Sequence, residues 1–199
     1  NGQSCIAAKR LIVEESIADE FEARLIEKVT ALRVGDPADP NVQIGPLARR
    51  DLRDHLAEQV ETSIKAGARI AVGGKIPNRK GWYYQPTVLT DIPDDCPASH
   101  DELFGPVATV FRVQNLDEAI ELGNATEYGL SAAIWTNIEK EREQAVKNLI
   151  AGGVFINGMS ASDPRIPFGG VKKSGYGREL GPHALREFVN VKTVWLGHD

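Results

Sequence analysis

Sulfur is scarce in this chain: its 199 residues hold two cysteines, Cys5 and Cys96, and a single methionine. Two thiols with no Cys-x-x-Cys pair and no neighbouring histidine cluster exclude a disulfide scaffold and a zinc-finger type of site, so metal is not expected. Such usage fits a reduced, cytoplasmic compartment. Positive charge is also short. Lys and Arg number 23 against 28 Asp and Glu, a formal net charge of -5, and a field of that sign repels nucleic acid and anionic membrane, so neither is expected as a partner. No apolar run approaches the roughly 20 residues of a membrane span, and the first residues are polar, unlike a secretory signal. No Gly-x-Gly-x-x-Gly turn follows a strand pattern, so a phosphate cradle for a dinucleotide is missing. What remains is ordinary: 42% hydrophobic and 26% charged residues, enough for one substantial core. The sequence opens inside a polar motif without a lead-in element, which predicts a domain or fragment of a longer protein.

Periodicity sets out the elements. Arg10 to Val13 reads as a buried strand, and Ser16 reads as the cap of a helix whose apolar stripe runs Ile17, Phe21, Leu25, Val29, Leu32 up to Gly35. Three prolines between Gly35 and Pro46 predict a surface loop. Leu52, Leu56, Val60 and Ile64 recur every fourth residue, a second amphipathic helix stopped by Gly67, with a strand from Ala68 to Val72 after it. Further strands are expected at Trp82 to Leu89, Val107 to Val113, Leu130 to Trp135 and Val154 to Ile156; helices are expected at Asp117 to Leu122, Ile138 to Leu149 and Pro182 to Phe188. Strands alternating with helices of this length predict an α/β fold, an open and mostly parallel sheet with helical crossovers. Val189 to Leu196 alternates like an edge strand, which suits pairing with a second subunit.

Cys5 is the first candidate for chemistry. It follows the flexible Gly2 and opens a run able to wind as helix, whose amide N–H groups favour a thiolate. The competing reading is an inert buried thiol, the commoner fate of a free cysteine. Cys96 lies between Asp95 and Pro97 in a polar loop and reads as structural.

Four patches in register change the balance. Gly2-Gln3-Ser4-Cys5 resembles the cysteine signature of aldehyde dehydrogenases, and Glu102-Leu103-Phe104-Gly105-Pro106 resembles their Glu-x-Phe-Gly-Pro segment. Val154-Phe155-Ile156-Asn157-Gly158 is similar to the family's strand ahead of the substrate loop. Pro167-Phe168-Gly169-Gly170 with Lys173-Ser174-Gly175-Tyr176-Gly177-Arg178-Glu179 is similar to their C-terminal signature. Within the family, the wording around Cys5 and the run from Gly153 to Trp195 is most similar to succinate-semialdehyde dehydrogenases.

The resemblance implies an NAD(P)-dependent oxidation of a small aldehyde, carried through a thiohemiacetal and a thioester on Cys5. It implies that Glu102 accepts hydrogen bonds from the nicotinamide ribose and that Phe104 packs near the nicotinamide; on composition alone Glu102 is a solvated turn carboxylate and Phe104 a core residue. It implies substrate contacts for Ser162, through its hydroxyl, and for Phe168, in the pocket wall; Ser162 reads equally well as an ordinary loop serine. Arg165 matches no family position and is not a candidate. Residues 1–181 are then the catalytic domain and 182–199 a C-terminal helix and oligomerisation strand of a homo-oligomer.

Two parts of such an enzyme have no counterpart here. The family's dinucleotide domain, which binds most of NAD or NADP, has no matching sequence, and the general-base signature is missing as well. Arg178-Glu179-Leu180-Gly181-Pro182 comes near that signature but belongs to the C-terminal motif, so Glu179 is not taken as the base; the charged residues of this tail are expected to hold the backbone around the site or a subunit contact instead. The 199 residues are therefore expected to be inactive alone. Two other classes stay open. A cofactor-independent cysteine esterase needs a base near the thiol, and His55, His100, His183 and His198 form no recognisable Cys-His pattern. A non-catalytic assembly module would act through the terminal strand and Gly-rich tail.

Overall fold

The computed structural model describes residues 1–197; His198 lies outside the described residues. The chain forms two compact units, residues 1–125 and 126–199. Both clusters of fully buried side chains lie in the first.

In the first unit β1 (Arg10–Glu14) leads into helix α1 (Glu15–Thr30), helix α2 (Arg50–Ala66) leads into β2 (Arg69–Val72), and β3 (Thr87–Thr90), the short helix α3 (Pro97–His100), β4 (Val107–Val113) and helix α4 (Leu116–Asn124) complete it. The sheet order is β1-β4-β3-β2; β1 and β3 run parallel to β4, and β2 is antiparallel to β3. Successive strand residues face opposite sides. Val88 and Val110 therefore point to the α1 side with Val13 and Ala18, while Leu89 and Val107 point to the α2 side with Leu56, Val60 and Leu103. On α1, Glu15, Asp19 and Glu22 share one face by their spacing, and all three carboxylates hold Arg112 of β4, with Glu22 Oε1 accepting from Arg112 Nε at 2.9 Å. Those three partners push the Arg112 guanidinium further up from its ordinary value.

Helix α2 also fixes α3. Ser63, fully buried, donates from Oγ to the Gln59 carbonyl at 2.8 Å and accepts the Ala98 N–H at 2.9 Å, which satisfies a first-turn amide of α3. Ser63→Ala leaves that amide unpaired in the core and is expected to cost about 1–2 kcal/mol, read as a lower urea midpoint at unchanged slope.

The second unit contains β5 (Ser131–Ile134), helix α5 (Glu139–Asn148), β6 (Gly153–Ile156) and helix α6 (Gly181–Glu187), with β5 and β6 parallel. This is one strand-helix-strand crossover. With three parallel pairings, the mostly parallel α/β reading holds.

Several boundaries differ from the periodicity reading. Helix α1 begins at Glu15 with no side-chain cap from Ser16, and it stops at Thr30 rather than near Gly35. Beyond it Val34 bridges Ile44, and a Cβ on Gly35 would meet Val42 Cγ2 at 2.5 Å, so Gly35 serves a loop crossing and not a helix end. The strand expected from Trp82 starts only at Thr87: Pro86 carries no N–H, and Trp82 is held outside the ladder with the Arg50 guanidinium 4.6 Å from its ring centre. Helix α4 is capped by Asn115, whose side chain accepts the Glu118 N–H at 3.0 Å. Val189 to Leu196 has the alternation of a strand but no ladder in the single chain; Val191, Val194, Trp195 and Leu196 are exposed.

Candidate active site

Strand pairing brings the first two motifs together. The Cys5 motif ends four residues before β1, the Glu102–Pro106 segment immediately precedes β4, and the two strands are parallel neighbours with Arg10 opposite Thr109. Thr109 clamps the junction: its N–H and its hydroxyl both donate to the Lys9 carbonyl, at 3.0 and 2.9 Å.

Gly2 makes the close approach. Its φ is +74°, and a Cβ there would lie 2.0 Å from the Gly105 carbonyl oxygen, so only glycine lets the cysteine motif rest on the Gly105–Pro106 peptide. Gly105 has no spare room either, since its own Cβ would stand 2.4 Å from Leu56 Cδ2 of α2. Around this contact the Asn1 amide donates to the Pro46 carbonyl at 2.9 Å, and Gln3 Oε1 accepts the Ala48 N–H at 3.0 Å. A helix core thus supports a glycine, and the glycine supports the thiol loop.

Cys5 itself sits in a single turn, closed by the Ala7 N–H donating to the Ser4 carbonyl at 3.1 Å. The expected helix at this point does not form; the chain passes from the turn straight into β1, whose ladder claims the backbone. The thiol is exposed, against the inert buried reading. Cys96, by contrast, is 2% exposed and its thiol donates to the Pro93 carbonyl at 3.2 Å, a core residue as expected.

Glu102 is half-buried and Phe104 37% exposed, with buried Leu103 between them turned into the core. Two side chains of alternate parity on an extended segment share the outward side. The Lys9 side chain turns back to join them. Its ammonium donates to the Gly2 carbonyl and, at 3.4 Å, to the Ser4 carbonyl, and lies 4.8 Å from the centre of the Phe104 ring. Burial pushes the Lys9 ammonium below the ordinary lysine range, and the charges of Glu102 and then Cys5 pull it back. Sequence reading missed Lys9, because a lysine four residues past a cysteine has no periodicity to mark it. Arg10, next along, lies over the Phe111 ring at 5.1 Å, and among the described residues its buried Nε and Nη2 find no acceptor.

Ser162 and Phe168 belong to the second unit. Ser162 is exposed in the loop after β6, and half-buried Phe168 forms an antiparallel bridge with Glu179, two N–H to carbonyl bonds of 2.8 Å. That bridge ties Pro167–Gly170 to the Arg178–Glu179 stretch, and Arg178 Nη1 donates to the Gly170 carbonyl at 2.8 Å and to the Gly177 carbonyl at 2.6 Å. Arg178 therefore holds backbone. Phe168, with Phe155, Ile166 and Leu130, lines a cleft of about 280 Å³ within this unit. Arg165 is bidentate on Asp163, Nε to Oδ1 at 2.9 Å and Nη2 to Oδ2 at 2.6 Å. Among the described residues no group of three or more His, Cys, Asp or Glu side chains is placed to hold a metal ion, and no helix is long and apolar enough to cross a membrane.

Comparison with known proteins places this arrangement. The pattern of the aldehyde dehydrogenase family matches residues 1–194. A succinate-semialdehyde dehydrogenase [NADP(+)] 1 of Mycobacterium tuberculosis is 54% identical over 196 residues, 98% of this chain and 43% of that protein. The crystal structure of succinic semialdehyde dehydrogenase from Streptococcus pyogenes, in complex with NADP+, superposes with a TM-score of 0.95 at 32% identity, over 99% of this chain and 43% of that one. Lactaldehyde dehydrogenase from Escherichia coli superposes at 0.94 and 36% identity, over 98% of this chain and 41% of that one. The chain spans less than half the length of these relatives. With nearly every residue inside the family pattern and its cysteine and Glu-x-Phe-Gly-Pro motifs seated on one another, the chain belongs to the aldehyde dehydrogenase family.

Proposed function

We propose that this chain is the thiol-bearing portion of an NADP-dependent succinate-semialdehyde dehydrogenase, with Cys5 as its nucleophile. One observation carries the reading: the exposed thiol stands on a loop locked by Gly2 against the Glu102–Pro106 segment, in a chain 54% identical to an enzyme of that name.

The residues present fit a nicotinamide nucleotide. Glu102 is an acceptor-only carboxylate, half-exposed, beside an accessible aromatic ring at Phe104; the carboxylate suits ribose hydroxyls and the ring suits a flat base. Bound NADP+ supplies the acceptor for the hydride. Cys5 supplies the rest of the covalent path. Its thiolate adds to the carbonyl carbon, the carbonyl pair moves onto oxygen, and a tetrahedral thiohemiacetal forms. Once that carbon has lost its hydride, the oxyanion pair reforms the C=O and the acyl group stays on sulfur as a thioester. Water then adds, sulfur leaves with its electron pair, and the acid is released. A thiolate suits both steps, because it attacks well and leaves well. Serine would leave poorly. The Cys5 backbone N–H is the local donor proposed for the oxyanion. Ser162 is proposed to bond the far carboxylate of the substrate, with Phe168 in the pocket wall. Residues 182–199, outside the catalytic portion 1–181, are proposed to serve assembly of a homo-oligomer.

The test adds succinic semialdehyde to the 199-residue chain and to the full-length enzyme bearing it, with NADP+ or NAD+. Steady NADPH formation is expected from the full-length enzyme alone, with NADP+ preferred by at least about tenfold in kcat/KM, the free-energy scale of one well-placed charge contact. Turnover by the 199 residues alone overturns the division of labour, and no turnover of any small aldehyde by the full-length enzyme overturns the activity.

A further inference from the structure

Long amphipathic side chains normally keep the ammonium in water. Lys9 does the reverse: its charge is drawn between two carbonyls and an aromatic face. The two carbonyls are those of Gly2 and Ser4, so they bracket Gln3 and end at the peptide that leads into Cys5. The aromatic face is Phe104, on the other motif of the site.

We propose that Lys9 is a positioning residue for the Cys5 nucleophile: its ammonium ties the carbonyls of the thiol loop to the Phe104 ring and keeps a fixed positive charge on the peptide that leads into Cys5. Two effects follow from one group. The carbonyl bonds limit the loop to a conformation that presents the thiol, adding to the close contact at Gly2, the side-chain bonds of Asn1 and Gln3 and the Ala7 to Ser4 turn bond. The ammonium reaches the carbonyl of the peptide that leads into Cys5, so a positive charge stands one residue from the thiol and draws an anionic reagent towards it. The ring contact also orients Phe104 through the attraction between a cation and an aromatic face. An ammonium is a compact charge on a flexible stem, which lets one group serve acceptors in three directions.

The inference rests on reading Cys5 as a nucleophile, and its test needs neither aldehyde nor NADP. Alkylation of Cys5 in the 199-residue chain is followed by peptide-resolved mass spectrometry, with neutral iodoacetamide and anionic iodoacetate compared. Lys9→Met is expected to slow iodoacetamide about fivefold and iodoacetate about twentyfold, because the loop loses the bonds that present the thiol and the attraction for the anionic reagent goes with the charge. Lys9→Arg, which keeps the charge, is expected to restore the ratio of the two rates to within about twofold of the original. A simple loss of packing would slow both reagents alike. An unchanged ratio in Lys9→Met, or a ratio in Lys9→Arg as low as in Lys9→Met, overturns the proposal. The unsubstituted chain gives a second reading that needs no variant: rising salt should lower the iodoacetate-to-iodoacetamide ratio by screening, and a ratio flat with salt also overturns it. The two claims fail separately. A full-length enzyme without dehydrogenase activity but with Lys9-dependent labelling loses only its substrate assignment, and an active enzyme whose labelling ignores Lys9 loses only the role given to this lysine.

Discussion

On the proposed reaction, Cys5→Ala in the full-length enzyme is expected to lower kcat for succinic semialdehyde by about 10⁴-fold or more, because the proposed covalent path runs through that sulfur and Cys96, the other thiol among the described residues, is buried in the core. The thiol is exposed and the turn around it is closed by backbone, Ala7 to Ser4, so the substitution removes the reacting atom and little else. Stability should stay within about 0.5 kcal/mol of the original, as for exposed substitutions generally. Cys5→Ser adds a sharper arm. Its alkoxide is rarely available at neutral pH and leaves poorly from an ester, so a slow first turnover with no release is expected, visible as acyl-enzyme by mass spectrometry. Residual steady turnover in Cys5→Ala comparable to the unsubstituted enzyme would remove sulfur from the mechanism and with it the whole reading of the thiol loop.

Gly152→Ala is expected to destabilise the second unit by at least about 3 kcal/mol, the upper range for forcing atoms into a packed site. A Cβ at Gly152 would fall 1.7 Å from the Gly169 carbonyl oxygen and 2.7 Å from its carbon. Both neighbours are backbone, so no flexible side chain can swing aside. The crowding is structural in purpose: Gly152 donates its N–H to the Gly129 carbonyl at 2.9 Å, Val171 donates to the same carbonyl at 2.9 Å, and the Pro167–Gly170 motif is thereby laid against the entry to β6. Urea unfolding of the chain should show the loss, and proteolysis should open residues after 126 first. A midpoint shift as small as that of an exposed substitution would mean that the two backbones separate freely and that the motif is not held by this contact.

Helix α2 was legible in the sequence because its stripe of Leu52, Leu56, Val60 and Ile64 and its stop at Gly67, with φ +123°, are both local signals. Where the deciding force is not local, reading fails. Gly35 looks like a helix stop, but its smallness is needed for Val42 on another part of the loop. Pro86 sits inside an otherwise strand-like run and delays β3, a signal that was present and was outweighed by the aromatics around it. The four-residue helix α3 went unread although Pro97 stands at its first turn. In the site, Glu102 and Phe104 were singled out through family resemblance, and Cys5 by its local sequence as well. Their neighbour Lys9 was not, because what distinguishes it is where its ammonium ends, and that depends on carbonyls and a ring brought by β1 and β4. Val189 to Leu196 shows the opposite limit: its alternation is plain, and a ladder needs a partner strand to exist.

The thiol loop and the Glu102 segment meet because each lies just ahead of one of two parallel, hydrogen-bonded strands, β1 and β4. Everything between those strands leaves the meeting point and comes back to it. Lengthening or trimming the connections around residues 38–41 or 76–80 is therefore invisible to the distance between sulfur and carboxylate, whereas a one-residue slip of β1 against β4 would misplace both at once. Over evolutionary time such a layout frees the excursions to vary in size, to recruit new neighbours or to be spliced, and confines inherited constraint to a single inter-strand register.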